Sequence, residues 1–282
     1  MHPQPTPYPT TTINTNQALW EQGDFTRIAA SMRDSGEALV ARLGLEKHHT
    51  VLDLGCGDGT TALPAARLVT RVLGVDIARN LVAAGNRRAA DLGIANCHFQ
   101  EGCATNLQDL PDASVDVTVS IFGAMFAPRP FDVAKAMVRV TRAGGRIIMG
   151  NWIPGDPTLV SQVLKICSGY LPAPAPGFIS PMTWGIESHV VDRFVQAGIR
   201  PEIVACQRDT FTFHHAGTPA DFVHAFRTWY GPTMNAFAAA GNQGRAAELQ
   251  QELELLFTRE NRSATPGVTI IPATYLLVTV SK

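Results

Sequence analysis

The segment Val-Leu-Asp-Leu-Gly-Cys-Gly-Asp-Gly, at residues 51–59, constrains the fold of this chain more than any other part of the sequence. An apolar run that leads into alternating glycines is typical of a buried strand ending in a tight turn, and residues 60–68 favour a helix. Glycine tolerates positive φ and has no Cβ, so a ligand can approach the backbone closely. The free N–H groups at the start of the following helix favour an anionic group. We therefore predict a strand, a ligand-binding turn and a helix.

Two aspartates add chemistry to this turn. Asp53 lies before the first glycine, and Asp76 ends a second predicted strand 21 residues after Gly55. An acid at the tip of the second strand is placed to accept hydrogen bonds from both hydroxyls of a ribose. The alternative role of Asp76 is to cap the helix that follows it.

Five motifs in order resemble those of the class I S-adenosylmethionine-dependent methyltransferases, and in particular a UbiE-like bacterial subgroup that modifies small molecules. They lie at residues 53–59, 74–77, 100–104 with 110–116, 120–128 and 141–147. The resemblance implies a Rossmann-like α/β fold with a seven-stranded, mostly parallel sheet, an antiparallel last strand and a helical cap. It also implies S-adenosylmethionine as the cofactor.

The resemblance implies a set of cofactor-binding residues. The glycines would close on the methionine part, Asp53 would lie near its cationic groups, and Asp76 would bind the ribose. Ile77 would pack on the adenine, although a core position is the alternative. The complete set is Trp20, Asp53, Gly55, Gly57, Asp76, Ile77, Gly102, Cys103, Ala104, Ser120 and Phe122.

Two members of this set need comment. The family usually has an aspartate where Cys103 stands, and a thiol is a poor acceptor for the adenine amino group. Either Asn106 or a backbone carbonyl then substitutes, or the affinity for adenine is reduced. Trp20 belongs to a segment that resembles one folding over the cofactor in the bacterial subgroup. The alternative is an amphipathic helix at the edge of the sheet.

The order of predicted elements divides the chain. Residues 1–45 form a lead-in with lid helices, residues 46–213 and 265–282 form the α/β core, and residues 214–264 form an inserted cap. Strands are predicted at 51–54, 72–75, 97–100, 115–120, 146–152, 202–213 and 274–280. Helices are predicted at 60–68, 81–92, 131–140, 159–169 and 187–197, with one or two in 20–43 and two in 218–264. Alternation in the central part argues for parallel strands with crossover helices.

The acceptor is predicted to be a small apolar or aromatic molecule, because the cap is rich in aromatic residues. Candidate acceptor-binding residues are Met125, Trp184, Trp229 and Tyr230. A core position is the alternative for each, since aromatic residues at helical spacing are more often core than pocket. Methyl transfer relies mainly on positioning and needs no base for some nucleophiles. His224 is the one candidate base that we name, with a structural or exposed role as its alternative.

Composition and charge argue against several classes of protein. The formal net charge is −1, with no block of basic residues that would follow a nucleic-acid backbone. No apolar run is long enough to span a membrane, and the first residues do not form a signal peptide. The five scattered cysteines favour a reduced, cytoplasmic protein without a metal site. A nicotinamide-dependent oxidoreductase and a non-catalytic binding protein stay as alternatives. The sequence leaves the oligomeric state open.

Overall fold

The computed structural model describes residues 15–282, so the predicted lead-in at residues 1–14 lies outside the described residues. Its centre is one seven-stranded sheet with the order β3-β2-β1-β4-β5-β7-β6. Strands β1 to β5 are parallel, and β7 is antiparallel to both β5 and β6. This confirms the predicted fold class. The strands are β1 Thr50–Leu54, β2 Arg71–Asp76, β3 Cys97–Glu101, β4 Val115–Ile121, β5 Thr141–Trp152, β6 Val204–His215 and β7 Thr269–Ser281.

Helices cover both faces of the sheet. The central strands β1 and β4 are therefore buried almost throughout, and most of their residues are apolar or β-branched. None of the helices in the described part of the chain is long and apolar enough to cross a membrane. The helices are α1 Thr15–Glu21, α2 Phe25–Ala29, α3 Arg33–Val40, α4 Ala62–Ala66, α5 Arg79–Asp91, α6 Pro130–Val140, α7 Leu159–Ser168, α8 Glu187–Gln196, α9 Pro219–Trp229, α10 Gly231–Asn242 and α11 Ala246–Glu260.

The prediction of two helices in residues 218–264 is wrong, because this region contains the three helices α9, α10 and α11. Tyr230 has an extended backbone between α9 and α10, and Pro232 lies in the first turn of α10, where a helix tolerates proline. Thr218 and Asp221 form a capping box at the start of α9.

Strand β7 begins five residues before its predicted start at residue 274 and contains Pro272. Its pairing with β5 begins only at Tyr275, whereas its pairing with β6 begins at Thr269. The first part of β7 thus has one free edge. A proline is acceptable there because its missing N–H need not serve a second neighbour.

The N-terminal helices and the three helices α9–α11 meet above the carboxyl ends of the strands. Helix α2 packs against α9, and α1 contacts both α5 and α10. The N-terminal part is more broken than the predicted one or two helices, because Gly23 has positive φ and Asp24 starts α2 with a side-chain cap. The division of the chain into core, lid and cap stays a prediction.

Candidate cofactor and acceptor site

A cavity crosses the carboxyl ends of the strands from β3 to β6 and encloses about 1200 Å³, part of which opens to solvent. All but one of the predicted cofactor residues line it. These are Trp20, Asp53, Gly55, Gly57, Asp76, Ile77, Gly102, Cys103, Ala104 and Phe122.

Two loops form the floor of the cavity and touch through glycine backbones. A Cβ on Gly55 would lie 2.6 Å from the Cα of Gly123, and one on Gly123 would lie 2.2 Å from the carbonyl oxygen of Gly55. Gly55 also has a φ of +71°. Gly57 has a φ of +54°, but a Cβ there would meet no atom within 4 Å. Its backbone therefore borders open space on the cavity side.

Phe122 follows β4 with a φ of 59°, a left-handed conformation that is uncommon for a bulky residue. Its ring stacks on Trp152, with 3.7 Å between ring centroids and 10° between planes. Phe211 and Tyr275 pack edge-on against it, each at 5.1 Å. Strained backbone of this kind persists where the surroundings fix it, and it clusters at functional sites.

Asp76 organises the turn around the cavity. Its Oδ2 accepts a hydrogen bond from the Gly57 N–H at 2.8 Å, and its Oδ1 accepts one from the Ala78 N–H at 2.9 Å. Helix α5 begins at Arg79 without a side-chain cap, so Asp76 is not a conventional N-cap. A carboxylate has about four lone-pair sites, so Asp76 keeps capacity to accept a further hydrogen bond from a ligand. Burial raises the pKa of Asp76.

Asp53 lies deeper, with 2% of its surface exposed. Its Oδ2 is sealed from solvent and has no hydrogen-bond partner among residues 15–282. Burial, together with the charge of Asp76, raises the pKa of Asp53 to about 8. A buried carboxylate oxygen without a partner is costly when ionised, and a cation placed beside it would remove that cost.

The loop after β3 places Cys103 at the cavity but leaves Asn106 outside. The Cys103 thiol lies 3.0 Å from the Thr105 hydroxyl, which accepts a hydrogen bond from Arg129 at 2.9 Å. Asn106 is exposed, and its side-chain oxygen accepts a bond from the Gln108 N–H. The alternative that Asn106 replaces the family's aspartate is therefore not supported by its location.

A buried ion pair that the sequence analysis missed fixes the glycine turn. Asp58 is 1% exposed, and its carboxylate accepts hydrogen bonds from both terminal nitrogens of Arg33 on α3. Arg33 also donates to the Thr60 hydroxyl at 2.8 Å, and Arg88 lies 3.6 Å from the same carboxylate. The motif contained Asp58, but nothing in the sequence indicated which distant arginines would reach it.

The structure corrects the predicted location of several site residues. Ser120 lies behind the floor, where it donates to the Leu54 carbonyl and accepts from the Ala124 N–H. Met125 is 1% exposed in the core and does not line the cavity. His224 is exposed on α9 and lies near Thr228.

Two predicted acceptor-binding tryptophans also lie away from the cavity. Trp184 is buried under the guanidinium of Arg193, which lies 4.5 Å from its ring. Trp229 contributes its carbonyl to the contact with Gly23 between the N-terminal helices and α9. Composition indicated an aromatic cap, but it did not indicate which side of each helix faces the cavity.

Beyond β4 the cavity is lined by apolar side chains, of which only Tyr230 was a predicted acceptor-binding residue. We call this part the acceptor half, and define it by Trp152, Val160, Phe211, Phe213, Phe226 and Tyr230. The alternation of residues 210–213 in β6 was a usable signal for Phe211 and Phe213, because it places both rings on one face.

Comparisons with known proteins agree with this geometry. Residues 51–145 match the family model described as a methyltransferase domain. The uncharacterized protein Rv1405c of Mycobacterium tuberculosis is 31% identical over 243 residues, which cover 85% of this chain and 85% of Rv1405c. The uncharacterized methyltransferase YcgJ of Bacillus subtilis is 32% identical over 112 residues, which cover 39% of this chain and 44% of YcgJ.

Solved structures share the fold. The crystal structure of YcgJ has a TM-score of 0.57 at 19% identity, covering 88% of this chain and 99% of that chain. The putative methyltransferase BH2331 of Bacillus halodurans has a TM-score of 0.55 at 16% identity, covering 86% of this chain and 96% of the other. The domain match, the relatives and the fold establish that the chain belongs to the class I S-adenosylmethionine-dependent methyltransferases.

Proposed function

We propose that this methyltransferase binds S-adenosylmethionine over the ends of β1, β2 and β3 and methylates a small, largely apolar or aromatic molecule in the acceptor half. The observation that carries the proposal is the division of one cavity into two chemically different parts. The first contains the carboxylates of Asp53 and Asp76 and the glycine turn. The second contains aromatic and aliphatic side chains.

The first part fits the cofactor in three respects. The unpaired Oδ2 of Asp53 suits a cationic group of the methionine part. The open space beside Gly57 admits a ligand against the backbone. The free lone pairs of Asp76 suit the two ribose hydroxyls. Ile77, Gly102, Cys103 and Ala104 then border the space for the adenine.

The cofactor, when bound, supplies an electrophilic methyl group, and the chain aligns the reactants and excludes water. The stacked rings of Phe122 and Trp152 hold the boundary between the two parts. Trp20, Phe25 and Tyr230 close the cavity from above, with their ring centroids 5.8–6.1 Å apart. Alignment of two reactants in this way contributes about 7–11 kcal/mol to the lowering of a barrier.

The size of the acceptor follows from this closure. A cavity roofed by α1, α2 and α9 suits a small molecule better than a protein or nucleic-acid chain, and a net charge of −1 gives no electrostatic attraction to phosphates. The nicotinamide-dependent alternative does not agree with the family to which the chain belongs. A non-catalytic protein that only binds the cofactor stays as an outcome of the test.

Calorimetric titration with S-adenosylmethionine, S-adenosylhomocysteine and NAD tests the cofactor. We expect micromolar binding of the two adenosyl ligands and none of NAD. Transfer of a radiolabelled methyl group to a panel of apolar aromatic compounds then tests the acceptor class. Cofactor binding without transfer to any compound would favour the non-catalytic protein, and a failure of both adenosyl ligands to bind would contradict the proposed site.

A further inference from the structure

The acceptor half presents hydrogen-bond donors but no ionised group. Among its six residues, only Trp152 and Tyr230 carry a polar side-chain atom. The indole Nε1–H of Trp152 can only donate, and the hydroxyl of Tyr230 can donate or accept. Burial raises the pKa of Tyr230, so this hydroxyl keeps its proton at neutral pH.

Both donors are without a partner in the described part of the chain. Neither Trp152 Nε1 nor the Tyr230 hydroxyl makes a hydrogen bond to residues 15–282, as far as these residues are described. Both residues are nearly buried, at 3% and 5% exposure. Yet neither atom belongs to the partnerless atoms sealed from solvent, such as Trp184 Nε1. Both atoms therefore keep accessible surface, and we infer that they face the cavity because both side chains line it.

A donor-lined, carboxylate-free pocket discriminates between polar substituents. A carbonyl or phenolic oxygen brings lone pairs that the two donors can satisfy. An ammonium group would lose its water and find no carboxylate in this half, and its attraction to the aromatic rings offsets only part of that loss. The carboxylates that line the same cavity, Asp53, Asp58 and Asp76, lie in the part assigned to the cofactor.

We propose that the acceptor half selects a ring compound bearing a carbonyl or phenolic oxygen, oriented by hydrogen bonds from Tyr230 and Trp152, and rejects the corresponding amine. This rests on the proposed function, because it names the substrate class of the same cavity. Tyr230 and Trp152 are positioning residues. No side chain of the acceptor half can serve as a base with a pKa near neutrality, so the methylated atom must be nucleophilic without one.

Three probes with one skeleton test the selection: acetylnaphthalene, ethylnaphthalene and naphthylethylamine, bound to the protein saturated with S-adenosylhomocysteine. We expect acetylnaphthalene to bind about 3–10-fold more tightly than ethylnaphthalene, as one net hydrogen bond implies. Naphthylethylamine should bind most weakly. Equal affinity for the ketone and the hydrocarbon, tightest binding of the amine, or binding of none of the three would overturn the proposal.

Variants assign the effect to the donors. Tyr230→Phe should remove most of the preference for the ketone and leave the affinity for ethylnaphthalene unchanged. Tyr170→Phe is the matched control, because the Tyr170 hydroxyl bonds Glu252 on α11 and does not line the cavity. Trp152→Phe, which keeps a stacking ring, provides a second variant if Tyr230→Phe melts early. Loss of binding of all three probes in Tyr230→Phe, ethylnaphthalene included, with an unchanged melting temperature would contradict the assignment of the preference to a hydrogen bond from the hydroxyl.

The test of selection by the acceptor half can be interpreted even if the proposed cofactor site is wrong. A separate titration with S-adenosylhomocysteine reports on the cofactor part. If that ligand fails to bind, the same three probes are compared on the free protein, and their order of affinity still decides the selection by the acceptor half.

Discussion

Ionisation of Asp53 should make binding of S-adenosylhomocysteine strongly dependent on pH. Burial and the charge of Asp76 raise the pKa of Asp53 to about 8, so its carboxyl is mostly protonated in the free protein at neutral pH. The proposed contact is with the ligand's ammonium group, which favours the ionised carboxylate and lowers this pKa in the complex. Binding should therefore release a proton.

The sign and size of the effect follow by linkage. If the pKa is about 8, only about 1% of Asp53 is ionised at pH 6 and about 10% at pH 7. Each pH unit below this pKa adds about 1.4 kcal/mol to the free energy needed to ionise Asp53. The Kd should therefore fall about tenfold from pH 6 to pH 7 and level off above about pH 8. Asp76 is coupled to Asp53, so the proton belongs to the pair.

Calorimetry in two buffers with different ionisation heats measures the proton release and the Kd together. At pH 7 we expect close to one proton released per ligand. Asp53→Asn should bind more weakly at pH 8 and show a flat profile between pH 6 and pH 8. In the free protein, the contribution of Asp53 to the free energy of unfolding should fall as pH rises from about 4 to about 8, because only the native state keeps the Asp53 proton in that range. The Asp53→Asn variant should not show this fall. A constant Kd without proton release in the wild type would refute the reasoning.

Three substitutions test other contacts. Asp76→Ala should weaken S-adenosylhomocysteine binding by about 1–3 kcal/mol in a titration, because the ribose hydroxyls lose their acceptor; an unchanged Kd would contradict the assignment. Gly231→Ala should speed dissociation of this ligand in stopped flow, because the new Cβ would lie 2.2 Å from the Leu19 carbonyl oxygen of α1, an overpacking worth about 1–3 kcal/mol. Gly241→Ala is its control in the same helix, where a Cβ meets no atom within 4 Å. Arg33→Ala should lower the free energy of unfolding by about 3 kcal/mol in urea, because it removes the main partner of the buried Asp58 carboxylate; a loss near zero would show that Arg88 suffices.

The cofactor part could be predicted because its residues are local in sequence. The turn after β1, the tip of β2 and the loop after β3 each follow a strand directly, and parallel strands bring their carboxyl ends together. A side chain's direction at such a tip was harder to predict. Ser120 lies one residue before the end of β4, yet its hydroxyl donates to the Leu54 carbonyl behind the floor, whereas Phe122 reaches the cavity through a left-handed backbone.

The acceptor half could be predicted only in part, because distant elements contribute one or two side chains each. Phe211 comes from β6 and Phe226 from α9, and their meeting depends on the antiparallel insertion of β7 between β5 and β6. Trp184 shows the limit of composition as a signal. Both Trp152 and Trp184 are tryptophans, but Trp152 lines the cavity, whereas Trp184 packs under Arg193.

The N-terminal helices are attached with unequal strength, which bears on how ligands enter a roofed cavity. Helix α3 is held by the buried pair of Arg33 and Asp58, which is costly to break. Helix α1 is held to α5 by the exposed pair of Glu21 and Arg79, and exposed pairs contribute little. Its contact with α10 depends on a glycine that leaves no room for a side chain. We therefore expect α1, which carries Trp20 over the cavity, to move aside while α3 keeps the glycine turn in place.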